Sequence, residues 1–279
     1  MDITCLVKNL LTRTLSGAIY VALILGSILW GPMAFSLLLF AFLVLSLREF
    51  LILAKKGGFK LPAAFMYFTG IVSYSLIALF SLGYIPVKIL VIIIPLISAL
   101  FVFELYGNLK TPIQNISFSI LALIYIVMPL SLMNFFFVKT DSIEVYQKGM
   151  VLGFFVIIWV NDTFAYLSGM LLGKHKLFKS ISPNKTWQGS IGGAIFSLIA
   201  GWGFSIYFPW LSLELWLAFA TILIIFGTFG DLVESMFKRR LGIKDSGDIM
   251  PGHGGILDRL DSLLIAAPFI FVFIILVIK

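Results

Sequence analysis

Residues 213–278 read LELWLAFATILIIFGTFGDLVESMFKRRLGIKDSGDIMPGHGGILDRLDSLLIAAPFIFVFIILVI, and the blocks in that stretch decide the fold. The runs 213–229 and 263–278 are apolar over nearly the length that crosses a hydrocarbon core. Between them stand Asp231, Glu234, Asp245, Asp248, Asp258 and Asp261, out of only 13 acidic residues in the chain. Lys238, Arg239, Arg240, Lys244 and Arg259 are interleaved with them. Asp231 and Glu234 follow the first run at i, i+3, and Asp258 and Asp261 precede the second at the same spacing. On helices, each pair projects from one face. Carboxylates at two helix ends suit hard divalent cations, which take oxygen ligands. Gly252, Gly254 and Gly255, with His253 among them, offer backbone N–H groups without obstruction, as phosphate-binding loops do. The basic residues supply the cations that phosphates need. Acid for metal, base for phosphate and glycine for close approach point to metal-assisted phosphoryl or nucleotidyl transfer.

Working outward, the same pattern of long apolar runs and short polar links fills the chain. Of 279 residues, 61% are hydrophobic and 12% are charged, against about 25% charged in soluble domains. The runs are continuous rather than alternating, which excludes a β-barrel. The expected fold is an all-α polytopic membrane protein with about nine transmembrane helices and a cytoplasm-facing polar site. The expected spans are 15–30, 33–53, 62–83, 87–106, 116–138, 149–172, 190–209, 213–230 and 262–278. Residues 1–140 are expected to be a lipid-facing scaffold and 141–279 the catalytic region. The net charge of +7 sits in short loops and follows from topogenesis, so no nucleic-acid partner is implied. Cys5 is the single cysteine, which excludes an intrachain disulfide.

Lysine and arginine placement sets the orientation. Lys8, Arg13, Lys55, Lys56, Lys60 and the loops around 174–185 and 238–259 fall on one side; Lys88, Lys139, Lys148 and Lys279 fall on the other. The positive-inside rule puts the N-terminus and the charged loops in the cytoplasm, in a multi-pass protein of the inner (cytoplasmic) membrane. Arg48-Glu49, near the end of the second span, reads as a paired, snorkelling structural dipeptide.

Two further stretches carry polar groups. Asn161 and Asp162 interrupt the sixth run; an ionisable group at that depth costs about 2.5–3.5 kcal/mol on insertion scales and usually faces a polar cavity. A buried helix-to-helix hydrogen bond is the other reading. The link 173–189, GKHKLFKSISPNKTWQG, concentrates lysines and shares its membrane side with 231–261 by the parity of the spans.

The run Ser235-Met236-Phe237-Lys238-Arg239, with Lys244-Asp245 and then His253-Gly254-Gly255-Ile256-Leu257-Asp258-Arg259-Leu260-Asp261, resembles the signature of the phosphatidate cytidylyltransferases (CDP-diacylglycerol synthases). Asn161-Asp162-Thr163, Ala165-Tyr166, Gly169 and Gly173-Lys174 resemble a second block of that family. Ser182-Pro183, Lys185-Thr186-Trp187 and Gly189 resemble a third. Met250 and Met170 depart from the pattern, as do Asn184, in place of a basic residue, and Gln188, in place of a Glu. No metal or base role passes to Gln188.

The resemblance implies transfer of a cytidylyl group from CTP to phosphatidate in phospholipid biosynthesis, with Mg²⁺ as cofactor and a second cation left open. CTP, phosphatidate and membrane lipid are the implied partners, and a homodimer is left open. Asp231 and Asp258 are the expected metal ligands, with Asp261 and Asp162 beside them. Lys238, Arg239, Lys244 and Arg259 are expected to hold phosphates, helped by Lys185. Asn161, Ser182 and Thr186 are further substrate-binding candidates, while His253 is open between phosphate donor and structural residue. The competing readings are another CTP-dependent lipid enzyme of the polyprenol kinase type and a secondary transporter.

Overall fold

The computed structural model describes residues 3–107, 111–137, 144–243, 246–247, 249–252 and 254–277. Among them, nine helical stretches are long and apolar enough to cross a membrane, from Thr12–Trp30 to Leu257–Val277. The chain is a multi-pass, all-α membrane protein, and each expected span has its counterpart. The chain divides into two compact units, Met1–Lys139 with Leu241–Leu260, and Thr140–Arg240 with Asp261–Lys279.

In the first unit, α1 (Ile3–Trp30) and α2 (Pro32–Lys56) meet at Gly31. Gly31 has a φ of 133°, which only glycine adopts without strain, and Pro32 begins the next helix where its missing N–H costs nothing. α2 is the core helix: Phe35, Leu39, Leu43 and Leu47, spaced by four, are fully buried. α3 (Ala63–Ser81) packs on it at Gly70, where a Cβ would meet Leu47 at 2.8 Å. α4 (Ile93–Leu105) follows a 3₁₀ turn and exposes Ile94, Phe101, Val102 and Leu105, as a lipid-facing helix does. The fifth span is not one regular helix. α5 (Pro112–Ala122) passes through a π turn (Leu123–Val127) into α6 (Met128–Leu132). Pro129 explains the break, because its ring excludes the carbonyl four residues back and it has no N–H to donate.

In the second unit, α7 (Glu144–Leu172) and α8 (Trp187–Tyr207) pack through small residues. A Cβ on Gly189 would meet the Ala165 carbonyl at 2.7 Å and Gly169 Cα at 3.1 Å, and one on Gly193 would meet Asn161. Within a bilayer, such small-residue faces let helices approach closely enough for dispersion to hold them. Between α7 and α8 the lysine-rich link forms an antiparallel hairpin, β1 (Lys176–Phe178) and β2 (Ser182–Thr186), with Lys176 opposite Thr186. α9 (Leu213–Arg240) continues ten residues beyond the end expected at 230. Its polar last turns are helical because 231–240 contains no Gly or Pro and Lys238 pairs with Glu234 at i, i+4. α10 (Leu257–Val277) begins in the first unit and enters the second at Asp261.

Candidate active site

In the second unit, the expected residues converge from three helices and the hairpin. Lys185, at the end of β2, places its Nζ 2.5 Å from Asp231 Oδ2 on α9, both side chains about one-third exposed. Ser235, one turn further along α9, donates to Asp231 Oδ1 at 3.2 Å. Asp261 on α10 is half-buried, accepts the Ser262 N–H at 2.6 Å, and feels the charges of Asp231, Asp162 and Lys185. The crossing of α9 and α10 sets this meeting. A Cβ on Gly230 would collide with the Asp261 carbonyl and stand 2.8 Å from Ser262 Cα. Glycine at 230 therefore brings the backbones close enough for Asp231 and Asp261 to share one field.

Asp162 is exposed on α7, while Asn161 beside it is buried against Gly193 of α8. The two neighbours divide the readings left open by the sequence: Asn161 supports helix packing, and Asp162 joins the charged group. Three carboxylates gather around one ammonium here. Carboxylate oxygens of this kind fit a hard divalent cation. Among the described residues no three acidic, histidine or cysteine side chains form a ready cage. Mg²⁺ does not require one, since it is bound through one or two carboxylates with water and substrate phosphate completing its shell.

The third block does more than present lysines. Thr186 caps α8, its buried hydroxyl accepting the Gly189 N–H at 3.1 Å. Gln188 Oε1 accepts the backbone N–H groups of Lys174 and His175, both at 3.1 Å, and so closes the base of the hairpin. An amide oxygen performs that task as a carboxylate oxygen would, so the position does not require a charge. Gln188→Glu therefore keeps activity within about twofold of the parent, Gln188→Ala loses several-fold, and Lys185→Ala loses far more. Initial rates for the three variants check the order; a Gln188→Ala loss equal to that of Lys185→Ala contradicts it. Arg239 Nε reaches the Ile181 carbonyl at 3.4 Å, a long contact that ties α9 to the hairpin. Lys238 is paired with Glu234 at 3.0 Å, and Ser182 is half-buried where β2 begins.

In the first unit, residues 246 and 255–257 bond to two carboxylates, the part-buried Asp258 and the buried Glu49. Asp258 Oδ2 accepts the Ser246 N–H at 2.9 Å, the Ser246 hydroxyl at 2.9 Å and the Gly255 N–H at 2.7 Å. Glu49, 2% exposed on α2, accepts the Ile256 N–H through Oε1 and the Leu257 N–H through Oε2, both at 2.9 Å. The pairing expected between Arg48 and Glu49 is replaced by this arrangement: Arg48 is exposed, and Glu49 faces the loop. Gly252 and Gly254 have φ of 75° and 81°, so the turn needs glycine for its backbone. Gly255 is glycine for another reason, since a Cβ there would collide with Ser246 Oγ and Glu49. Its N–H is engaged by Asp258. α1 supports the turn through the Ser16 hydroxyl, which donates to the Pro251 carbonyl at 3.1 Å, and through Tyr20, which donates to the Arg259 carbonyl at 3.2 Å. The Arg259 side chain is exposed. Lys244 and His253 lie outside the described residues. The long-range partners Glu49, Ser16 and Tyr20 carried no local sequence signal.

A profile of the cytidylyltransferase family matches residues 11–277, both units together. The chain belongs to that family. Among curated relatives, the phosphatidate cytidylyltransferase of Staphylococcus haemolyticus (strain JCSC1435) is 43% identical over 164 residues, covering 58% of this chain and 60% of that one. The Staphylococcus aureus (strain COL) protein of the same name is 47% identical over 142 residues, 50% of this chain and 53% of that one. A third, from Staphylococcus saprophyticus, is 51% identical over 122 residues, 43% and 47% of the two chains. The matched stretches span about half to six-tenths of these relatives' length.

Proposed function

We propose that the protein transfers a cytidylyl group from CTP to phosphatidate, giving CDP-diacylglycerol and pyrophosphate at the membrane. The observation that carries this reading is the Lys185–Asp231 pair beside Asp261 at a helix crossing made close by Gly230. Family membership and the names of the relatives support it.

The chemistry suits these residues. A phosphate oxygen of phosphatidate attacks the α-phosphorus of CTP, forming one P–O bond while the bond to the β-phosphate oxygen breaks and pyrophosphate departs. The nucleophile is already an anion, so no Ser, Cys or His nucleophile is required. The difficulty is bringing two polyanions together and holding charge on the leaving group. Asp231 and Asp261 are the carboxylates we assign to a divalent cation. Bound there, Mg²⁺ would neutralise phosphate charge and act as a Lewis acid. Lys185 sits against Asp231 and is placed to shift its ammonium to a phosphate oxygen when substrate arrives. In the first unit, Asp258 holds the loop that bears Arg259. The hairpin and the 231–261 segment face the cytoplasm in this reading, where CTP is found.

Two experiments test it. Purified protein given CTP, Mg²⁺ and phosphatidate forms CDP-diacylglycerol; absence of lipid product, with counterflow of an anionic metabolite in liposomes, would replace the enzyme by a transporter. Single cysteines in 173–189 and 231–240, introduced in a Cys5→Ser background, are labelled from the cytoplasmic face alone. Labelling of the two segments from opposite faces contradicts a shared site.

A further inference from the structure

We infer that Glu49 is a positioning residue for the 246–258 loop, acting from the second helix on a segment about two hundred positions away. The inference rests on the reading that this loop serves cytidylyl transfer. Three observations carry it. The Glu49 carboxylate is buried, and its bonds among the described residues are all distant in sequence: its oxygens receive the Ile256 and Leu257 N–H groups and, at 3.2 Å, the Ser246 hydroxyl. Those two amides open α10, where N–H groups have no partner within the helix, so Glu49 serves as a cap supplied by another helix. The loop is also shaped to the carboxylate. A Cβ on Gly247 would stand 2.6 Å from Glu49 Oε1, and one on Gly255 would overlap Oε2. Finally, the Ser246 hydroxyl lies between Glu49 and Asp258. The anchored carboxylate thereby fixes the group that in turn holds Ser246, Gly255 and the approach to Arg259.

Glutamate is needed at this position because both oxygens accept. In Glu49→Gln, one of them becomes an NH₂ that faces the Ile256 or the Leu257 N–H, leaving a buried donor without its acceptor. The start of α10 then loosens while the apolar packing of α2 is unchanged. A displacement of the loop by an ångström is enough to cost about tenfold to a hundredfold in turnover.

The test uses the full-length protein in detergent. Glu49→Gln is expected to lower kcat by at least about tenfold, to lower the thermal midpoint only slightly, and to speed amide hydrogen exchange in peptides covering 246–258. Arg48→Gln, one residue away and exposed, changes none of these. Ser246→Ala removes only the bridging hydroxyl and is expected to lower kcat less. Combined with Glu49→Gln, it adds little further loss, as coupled groups do. Turnover within about twofold of the parent, with unchanged loop exchange in Glu49→Gln, overturns the inference. If Glu49→Gln unfolds, Ser246→Ala decides: parental exchange over 246–258 in that variant also overturns it. Faster loop exchange in a protein whose parent forms no CDP-diacylglycerol would instead uphold the anchor and remove the proposed reaction.

Discussion

Replacing Asp231 by Asn lowers CTP- and phosphatidate-dependent pyrophosphate release by about 10²-fold or more, the scale of losing one major electrostatic stabiliser. Asn keeps the size of the side chain and can still accept from Ser235, so local packing is preserved. What disappears is the charge that pairs with Lys185 and that we assign to the cation. The side chain is about one-third exposed at the polar end of α9, and yield and thermal midpoint stay close to those of the parent. Raising Mg²⁺ recovers part of the rate where weakened cation binding is the cause. A Mg²⁺ titration of initial rates checks this. Near-parental release at low Mg²⁺ removes Asp231 from the cation site.

A change of one methyl group at Gly230 has an effect of the same order by a different route. The Cβ of Gly230→Ala collides with the Asp261 carbonyl and approaches Asp261 C at 3.0 Å and Ser262 Cα at 2.8 Å. All three are backbone atoms, which cannot rotate aside as a side chain does. α9 and α10 must separate, Asp231 and Asp261 part, and the protein loses about 1–3 kcal/mol to overpacking together with most of its activity. Gly227→Ala is the internal control, because its Cβ meets Ser262 Cβ at 3.6 Å, an ordinary contact. Alanine favours a helix over glycine by about 1 kcal/mol at either position. Loss at 230 with near-parental behaviour at 227 therefore isolates the crossing. Thermal midpoints and initial rates measured side by side decide it, and equal tolerance at both positions contradicts the close approach.

The spans were readable in the sequence because hydrophobic length is a local property. The helix of the eighth span runs on past its apolar part, since residues 231–240 are too polar for a span but still helical, joined by the Glu234–Lys238 pair. Asp231, Asp261 and Lys185 stood out in the sequence because they sit in dense charged blocks beside apolar runs, and the structure brings them together. The tasks of Thr186 and Gln188 could not be read from residue type, because the same polar atom serves a phosphate or a backbone N–H equally well. Gly255 looked like an opening for substrate and is instead moulded to Glu49. Glu49 itself stood beside an arginine, and local proximity suggested a pair; its true partners lie at positions 246, 256 and 257. Periodicity and motif spacing do not report pairings across that separation.

The most direct test of the central claim follows the phosphorus atoms of CTP. With CTP labelled at the α-phosphate, cytidylyl transfer carries the label into the lipid phase in a phosphatidate-dependent manner, and with γ-labelled CTP the label remains aqueous as pyrophosphate. Both outcomes vanish together in Asp231→Asn at low Mg²⁺. Label from the γ-phosphate in the lipid would identify a kinase instead, and no phosphatidate-dependent label in lipid from either position would contradict the account outright.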